Sequence, residues 1–325
     1  MKMREALQQR CDLFIENRDT LKRVFKMESS SMYPVAANIL TGRQIPITED
    51  TLRACRDLLK ERVGAFSNFR GTVRMAVISM LAVSLEPEER LRAMLDYYDL
   101  LKRHFHGSEY LALVALLLTN THSPRPMEEI VARGRAIYDK MKREHPFLTG
   151  GEDSVFAVLM AFSDKDDEAL IADMEDCYQK LRPTFGRGDG VQTVSHVLAM
   201  TQGATLDKCS RFLALFDGLR RAGRRYGRHY ELAVLAALSV LPMGIDDAIA
   251  DMLAVDEFLS HQKGYGVFSI DKKTRLMHAA MLTSHGYVPD ERAEAAIMSS
   301  TVAMIAAQQA AMCAAVTASA SAGSH

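Results

Sequence analysis

The residues best equipped for chemistry lie in the segment GLRRAGRRYGRHYE, residues 218–231. Five arginines fall within nine of its positions: Arg220, Arg221, Arg224, Arg225 and Arg228. On a continuous helix, Arg220 and Arg224 would share one face, and Arg221 and Arg225 the neighbouring face. A planar guanidinium donates paired hydrogen bonds to carboxylates and phosphates. We therefore predict that these arginines bind an acidic partner or a phosphate-bearing ligand.

A second interpretation of the same arginines is structural. The longer amphipathic segments of this chain tend to begin with acidic residues and end with basic ones, as from Glu88 to Arg103 and from Glu128 to Arg143. Such charges complement the helix dipole by about 0.3–1 kcal/mol each. The arginines would then be the solvated end of one helix, and the sequence alone leaves both interpretations open.

Imidazole and carboxylate groups recur in two successive loops, where they suggest ligands for zinc, iron or manganese. They are His104, His106, Glu109, His145, Glu152 and Asp153. No HExxH or ExxH spacing places two of them on one helical turn, so loop polarity and helix capping explain them as well. We expect no bound metal and no cofactor.

Paired aspartates raise the alternative of a helical enzyme that binds magnesium, as terpene synthases do. Residues 246–251 form a DDxxxD pattern, but Leu170 interrupts a second acidic run that begins at Asp166. Both runs lie where a helix is predicted to begin, so helix capping accounts for them. No catalytic residue is predicted, and the lone histidines His196 and His278 are expected to be hydrogen-bonded core residues.

These candidates are carried by a repeat of about forty residues. Aromatic residues recur at steps of 39, 42, 38, 41 and 39 positions: Phe66, Phe105, Phe147, Phe185, Tyr226 and Tyr265. Each is followed by a short apolar segment and then by a longer segment with apolar residues at i, i+3, i+4 and i+7. That spacing is typical of an amphipathic helix, and self-similarity at a fixed period is typical of helical-repeat proteins.

The predicted fold is therefore all-α, a two-layer helical-repeat architecture that is either an α-solenoid or an α/α toroid-like ring. It would contain about six to seven helix pairs of ~40 residues, with the short apolar helices inside and the longer ones outside. Four residues occupy equivalent positions near the ends of the longer helices and are predicted to be buried: Leu101, Met141, Leu181 and Leu219.

The loops between the repeat units have predicted structural roles. A glycine would let the longer helix end in a left-handed turn. The polar residue after it would cap the next short helix, as Ser108, Asp153 and Asp189 are placed to do. The aromatic residue would fill the gap between one unit and the next.

The composition of the chain favours some classes of partner and some cellular locations over others. Its 325 residues carry 40 Lys and Arg and 41 Asp and Glu, a net charge of −1 that argues against nucleic acid or a membrane as partner. Five scattered cysteines without a CxxC pair, and no apolar leader segment, favour a cytoplasmic protein. We predict an N-terminal capping helix (1–30), a single helical-repeat domain (31–305) and an Ala/Ser-rich tail (306–325) that is partly disordered.

Four segments resemble a bacterial family, most of whose members come from Firmicutes. They are FKMESSSMYPVAANILTG from Phe25, FSNFRG from Phe66, HGSEYLALVAL from His106 and EHPFLTGGEDSVFAVLMAFSDK from Glu144. In order and spacing they are similar to the family called domain of unknown function 4003, and the similarity covers nearly the whole chain. The resemblance implies an all-helical cytosolic protein with no known activity, so it carries over no functional residue.

The sequence is compatible with two functions. The first is a non-enzymatic cytosolic scaffold that binds a protein, a peptide or an anionic partner on its stacked helices. The second is a helical toroid enzyme or small-ligand-binding protein with a central pocket, with or without a metal.

Overall fold

The computed structural model describes residues 3–26, 28, 32–42, 44, 46–119, 121, 123–266 and 270–287. Every regular element in these residues is an α-helix, which confirms the predicted all-α class. The predicted tail, residues 306–325, lies outside the described residues. None of the described helices combines the length and the apolar character that crossing a membrane requires.

Fourteen helices lie in the described residues. They are α1 (Glu5–Val24), α2 (Met32–Thr41), α3 (Glu49–Arg62), α4 (Arg74–Ala82), α5 (Pro87–Lys102), α6 (Glu109–Leu118), α7 (Met127–Glu144), α8 (Asp153–Met160), α9 (Asp167–Phe185), α10 (Asp189–Ala199), α11 (Thr205–Arg221), α12 (Glu231–Ser239), α13 (Ile245–Ser260) and α14 (Lys272–Ser284).

Short and long helices alternate along the chain. The even-numbered helices are short and apolar, and most of their residues are buried. The odd-numbered helices from α3 to α13 are longer and bury one face. A helix that is apolar on all sides needs cover on all sides, whereas an amphipathic helix can face water. Within each compact unit, the short helices therefore form a core layer and the long helices an outer layer.

The chain divides into two compact units. Asp12–Ala136 form the amino-terminal unit, and the described parts of Met1–Cys11 and Ile137–Ala311 form the carboxy-terminal unit. In the amino-terminal unit α2 packs on α4 and α4 on α6, while α3 packs on α5. In the carboxy-terminal unit α8, α10, α12 and α14 pack in succession, and α9, α11 and α13 do the same.

The four leucine and methionine positions predicted from the repeat are confirmed. Leu101, Met141, Leu181 and Leu219 are all 0% exposed. Each lies near the carboxyl end of its long helix, where the apolar spacing placed it. The spacing within a helix therefore predicted these four core positions correctly.

The predicted role of the aromatic residues is wrong in two of the loops. Phe66 is 104% exposed and Phe147 is 98% exposed, so neither fills a gap between helices. In the first loop the buried aromatic is Phe69, whose ring lies 4.9 Å from that of Tyr98. Phe69 precedes its glycine by two residues, as the buried Phe105 does, so the correct alignment lies three residues further along.

Helix capping follows the prediction in only one of the three cases. Ser108 accepts a hydrogen bond from the Leu111 backbone N–H at 3.1 Å, as an N-cap does. Asp153 and Asp189 are instead the first residues of α8 and α10, and the preceding N-cap residues make no side-chain cap. The Asp153 carboxylate turns back to accept from the Gly150 N–H at 2.8 Å.

Candidate functional site

The five arginines begin on a helix but do not stay on it. α11 ends at Arg221, and Gly223 follows with φ at 77°. The Gly223 N–H donates to the Arg220 carbonyl at 3.0 Å, and the Arg224 N–H donates to the Leu219 carbonyl at 2.9 Å. These two bonds are those of a Schellman motif, in which a left-handed glycine ends the helix. The expectation that all these arginines share helix faces is therefore wrong beyond Arg221.

The turn at Gly223 places the remaining arginines around a cleft in the carboxy-terminal unit. The cleft has a volume of about 750 Å³. Four of the five predicted arginines line it, together with a lysine from α14: Arg220, Arg224, Arg225, Arg228 and Lys273. Arg221 is exposed and is not among its lining residues. Asp217 is the one carboxylate in that lining.

Two of the cleft arginines are neutralised by neighbouring carboxylates. Arg220 pairs with Asp217 at 3.2 Å. Arg224 donates from Nε to the Asp256 carboxylate at 2.9 Å, and the Asp256 side chain is 1% exposed. Arg275 donates to the other oxygen of Asp256 at 2.7 Å. Because a buried carboxylate needs such partners, Arg224 and Arg275 have a structural role.

Arg228 is held in place by aromatic rings and by a backbone carbonyl. Its guanidinium carbon lies 5.2 Å from the ring centroid of Phe185 and 5.9 Å from that of Phe216. One of its terminal nitrogens donates to the Thr184 carbonyl at the end of α9. Cation–π contacts of this kind stabilise the charge and fix its orientation. Arg228 makes no ion pair with any carboxylate of the described residues.

Arg225 and Lys273 are the other two cations without an ion pair. Arg225 is exposed and forms no hydrogen bond or ion pair within the part of the chain that the structure describes. Lys273 lies in the first turn of α14. The neighbouring Asp271 carboxylate is occupied as the N-cap, since it accepts from the backbone N–H groups of Lys273 and Thr274. Among the described residues, Arg225, Arg228 and Lys273 thus form no ion pair, although the Lys273 charge acts on the nearby Asp271 carboxylate.

Two of the six residues considered as metal ligands, Glu109 and His145, are engaged in other contacts. Glu109 accepts from the Thr72 backbone N–H at 3.1 Å. His145 lies 2.8 Å from the Glu175 carboxylate. Among the described residues, no three His, Cys, Asp or Glu side chains are grouped so that they would hold a metal ion.

The three aspartates of the DDxxxD pattern also have structural roles. Asp246 and Asp247 lie in the first turn of α13, where negative charge complements the helix dipole. Asp251 is 8% exposed, pairs with Arg4 and accepts from the Tyr287 hydroxyl at 2.7 Å. The third carboxylate of the pattern is therefore already bound to protein groups.

A buried acid–base pair lies in the carboxy-terminal unit, and sequence reasoning missed it. His196 is 0% exposed, and neither ring nitrogen has a hydrogen-bond partner among the described residues. Its Nδ1 is 3.4 Å from an Asp153 oxygen, close enough for an ion pair but not aligned as a hydrogen bond. Burial raises the pKa of Asp153 to about 7 and lowers the pKa of His196 to about 3.

The two core histidines therefore differ. His278 is 2% exposed and lies 3.0 Å from the Tyr265 hydroxyl through Nδ1, as expected for a hydrogen-bonded core residue. The same expectation is correct for the burial of His196 but wrong for its hydrogen bonding. This difference could not be predicted from the sequence, because Tyr265 and Asp153 are brought next to the two histidines only by folding.

Comparison with curated proteins finds one similarity over part of the chain. The chain is 31% identical over 147 residues to the "Uncharacterized protein YeaA" of Bacillus subtilis (strain 168). The match covers 44% of this chain and 44% of the relative, so the chain spans less than half the length of the curated relative it matches. No solved structure matches the chain.

Comparison with family models finds a longer match. The model described as "Protein of unknown function (DUF4003)" matches residues 17–310. The matched residues include both short and long helices and every residue of the arginine cleft. Because this match spans most of the 325 residues, the chain belongs to the DUF4003 family of proteins of unknown function.

Proposed function

We propose that this protein is a non-enzymatic binding protein and that the arginine cleft of its carboxy-terminal unit binds an anionic ligand. The observation that carries the proposal is that Arg225, Arg228 and Lys273 line one cleft and form no ion pair with any of the described residues. Like charges held around one cavity repel one another, and an anion that enters relieves this repulsion. The positive charges of the cleft thus favour the binding of an anion.

The size of the cleft favours a small ligand over a protein partner. Its volume of about 750 Å³ falls within the range of roughly 300–1,000 Å³ that is typical of small-molecule sites. Phe216 and Tyr226 contribute apolar surface to its lining. A mixed lining of this kind suits an organic anion, because the apolar part of the ligand contacts the rings while the charged part meets the guanidinium groups.

The chemistry of the lining supports binding more than catalysis. Asp217 is already paired with Arg220. The Tyr226 hydroxyl donates to the Glu231 carbonyl at 3.0 Å, and burial raises the pKa of Tyr226 well above its usual range. Neither group is therefore suited to act as a general base near neutral pH.

The proposal is tested by calorimetric titration with benzoate, citrate and phenyl phosphate at low and moderate salt. We expect wild-type protein to bind at least one of them and Arg225→Gln/Arg228→Gln to bind it about tenfold or more weakly, since charge-assisted hydrogen bonds are lost. Arg221→Gln is the matched control, because Arg221 is exposed near the cleft but does not line it.

Two results would contradict the proposal. Wild-type protein that binds none of the three anions would show that the cleft is not an anion site. A double variant with wild-type affinity and salt dependence would show that the arginines are only the solvated end of a helix.

A further inference from the structure

We infer that the ligand of the arginine cleft is a small phosphate monoester whose phosphate group contacts Arg225, Arg228 and Lys273. This inference rests on the proposed function and specifies its ligand. The three side chains line the same cleft and form no ion pair among the described residues. A phosphate monoester carries about −1.5 to −2 charges at pH 7 and presents three acceptor oxygens. It therefore matches three cations better than a carboxylate, which carries a single charge.

The geometry of Arg228 suits a phosphate. Guanidinium has five N–H donors, and the Thr184 carbonyl uses one of its terminal nitrogens. The aromatic rings of Phe185 and Phe216 lie about 5–6 Å from its central carbon, so they restrict how the plane can turn. The contacts with Thr184, Phe185 and Phe216 thus restrict the orientation of the remaining donors. Such preorganisation lowers the entropy that the site loses when a ligand binds.

Lys273 lies on a second helix and contributes an ammonium group in place of a guanidinium group. It lies in the first turn of α14, where the positive end of the helix dipole adds to its own charge. An ammonium group is a compact point charge that contacts phosphate oxygens from any direction. Arg225 and Arg228 come from the loop after α11, so the phosphate would connect this loop with α14.

The rest of the cleft indicates that the phosphate is attached to an organic group. A free phosphate ion would occupy only a small part of the volume of about 750 Å³. The lining also contains Phe216, whose ring already contacts the Arg228 guanidinium. An ester with an apolar or aromatic body would fill this space, and a free inorganic ion would not.

The test compares three ligands that share a phenyl ring, namely phenyl phosphate, phenyl sulfate and benzoate, by calorimetric titration of the full chain. Phenyl sulfate has nearly the shape of phenyl phosphate but stays a monoanion. We expect phenyl phosphate to bind at least about tenfold more tightly than either at pH 7.5. This preference should shrink between pH 7 and 5, because the second phosphate pKa lies near 6.

Single variants test the three contacts. Arg225→Gln and Lys273→Gln should each weaken phenyl phosphate binding about tenfold, and Arg221→Gln should leave it unchanged. Arg228 also contacts Thr184 and Phe185 at the end of α9, so its substitution can affect the structure as well as binding. Arg228→Lys is therefore compared with Arg228→Gln after circular dichroism has shown that both are folded. We expect both to weaken binding, because lysine cannot reproduce the planar donor set.

The outcomes separate this inference from the proposed function. If benzoate or citrate binds more tightly than phenyl phosphate, the anion site stands and the phosphate assignment is wrong. Equal binding of phenyl sulfate and phenyl phosphate, or no effect of Arg225→Gln and Lys273→Gln, would also overturn the assignment. If no anion binds at all, both the inference and the proposed function fail.

Discussion

At the scale of single residues, the five arginines differ in what they contact. Arg220 and Arg224 have carboxylate partners, and Arg228 rests on aromatic rings. Arg221 and Arg225 are exposed. The sequence predicted the cluster because five arginines are adjacent in the chain. It did not predict these roles, because Asp256 and Lys273 are brought to the arginines only by the packing of α13 and α14.

The buried Asp153 gives a prediction about the pH dependence of stability. Its folded-state pKa of about 7 lies above its ordinary value near 3.8. The folded state thus holds this proton more tightly than the unfolded chain does, and Asp153 costs stability as the pH rises through this window. Asp153→Asn cannot ionise. We expect the variant to match wild type near pH 4 and to become progressively more stable than wild type up to about pH 7.

Urea unfolding of both proteins at pH 4, 5.5 and 7.5 measures this difference. His196 also shifts its pKa on folding, but in the opposite direction, because of burial and the charge of His145. Asp153 is not among these causes, so the difference between the two proteins reports on Asp153. A variant whose stability difference from wild type does not change with pH would show that Asp153 is ionised in the folded protein.

Gly223 gives a second prediction at this scale. A φ of 77° disfavours residues with a Cβ, although there is open space around the position. Gly223→Ala should cost about 1–2 kcal/mol in the free energy of unfolding, and Gly223→Asn should cost less. Gly64→Ala is the control, because Gly64 also has open space and lacks a positive φ. Equal losses at both positions in urea unfolding would show that the left-handed turn is not the cause.

At the scale of helices, most of the fold could be predicted, because the apolar spacing that predicts a helix and its buried face lies within that helix. The i, i+3, i+4, i+7 spacing predicted most of the buried residues of α5, α7, α9 and α11, among them Leu101, Met141, Leu181 and Leu219, but it failed at Leu206 in the first turn of α11, which is 63% exposed. The loops were predicted less well. Phe66 and Phe69 are only three residues apart, and which of them turns inward depends on Tyr98 of the next long helix. The residues of the loop alone therefore do not show which of the two aromatic side chains is buried.

The packing of the long helices is tested by truncating one buried leucine. Leu181→Ala in α9 should lower the free energy of unfolding by about 2–5 kcal/mol, because it removes contacts and leaves a cavity. Leu206→Ala in α11 is the matched control, since Leu206 is 63% exposed, and it should change stability by no more than about 0.5 kcal/mol. A loss at Leu181 as small as that at Leu206 would mean that the α9 core is assigned incorrectly.

At the scale of the whole molecule, the net charge of the chain does not indicate the candidate site. A net charge of −1 describes a chain without a strong overall field. The cleft nevertheless has five cations and one carboxylate in its lining. The cations of the cleft would therefore attract an anionic ligand only at short distances, because salt screens charges beyond about 8 Å at physiological ionic strength. Only the positions of the charges, and not their sum, indicated this site.

The cleft takes its lining from α9, α11, the loop after α11 and α14, segments that are far apart in the chain. A ligand that touches several of them has nothing comparable to bind once the unit is unfolded. By mass action, it would add about 2.7 kcal/mol to the free energy of unfolding at a concentration one hundred times its dissociation constant. In a cell, the supply of such a ligand would set how long this unit survives proteolysis, so the abundance of the protein would follow the abundance of what it binds.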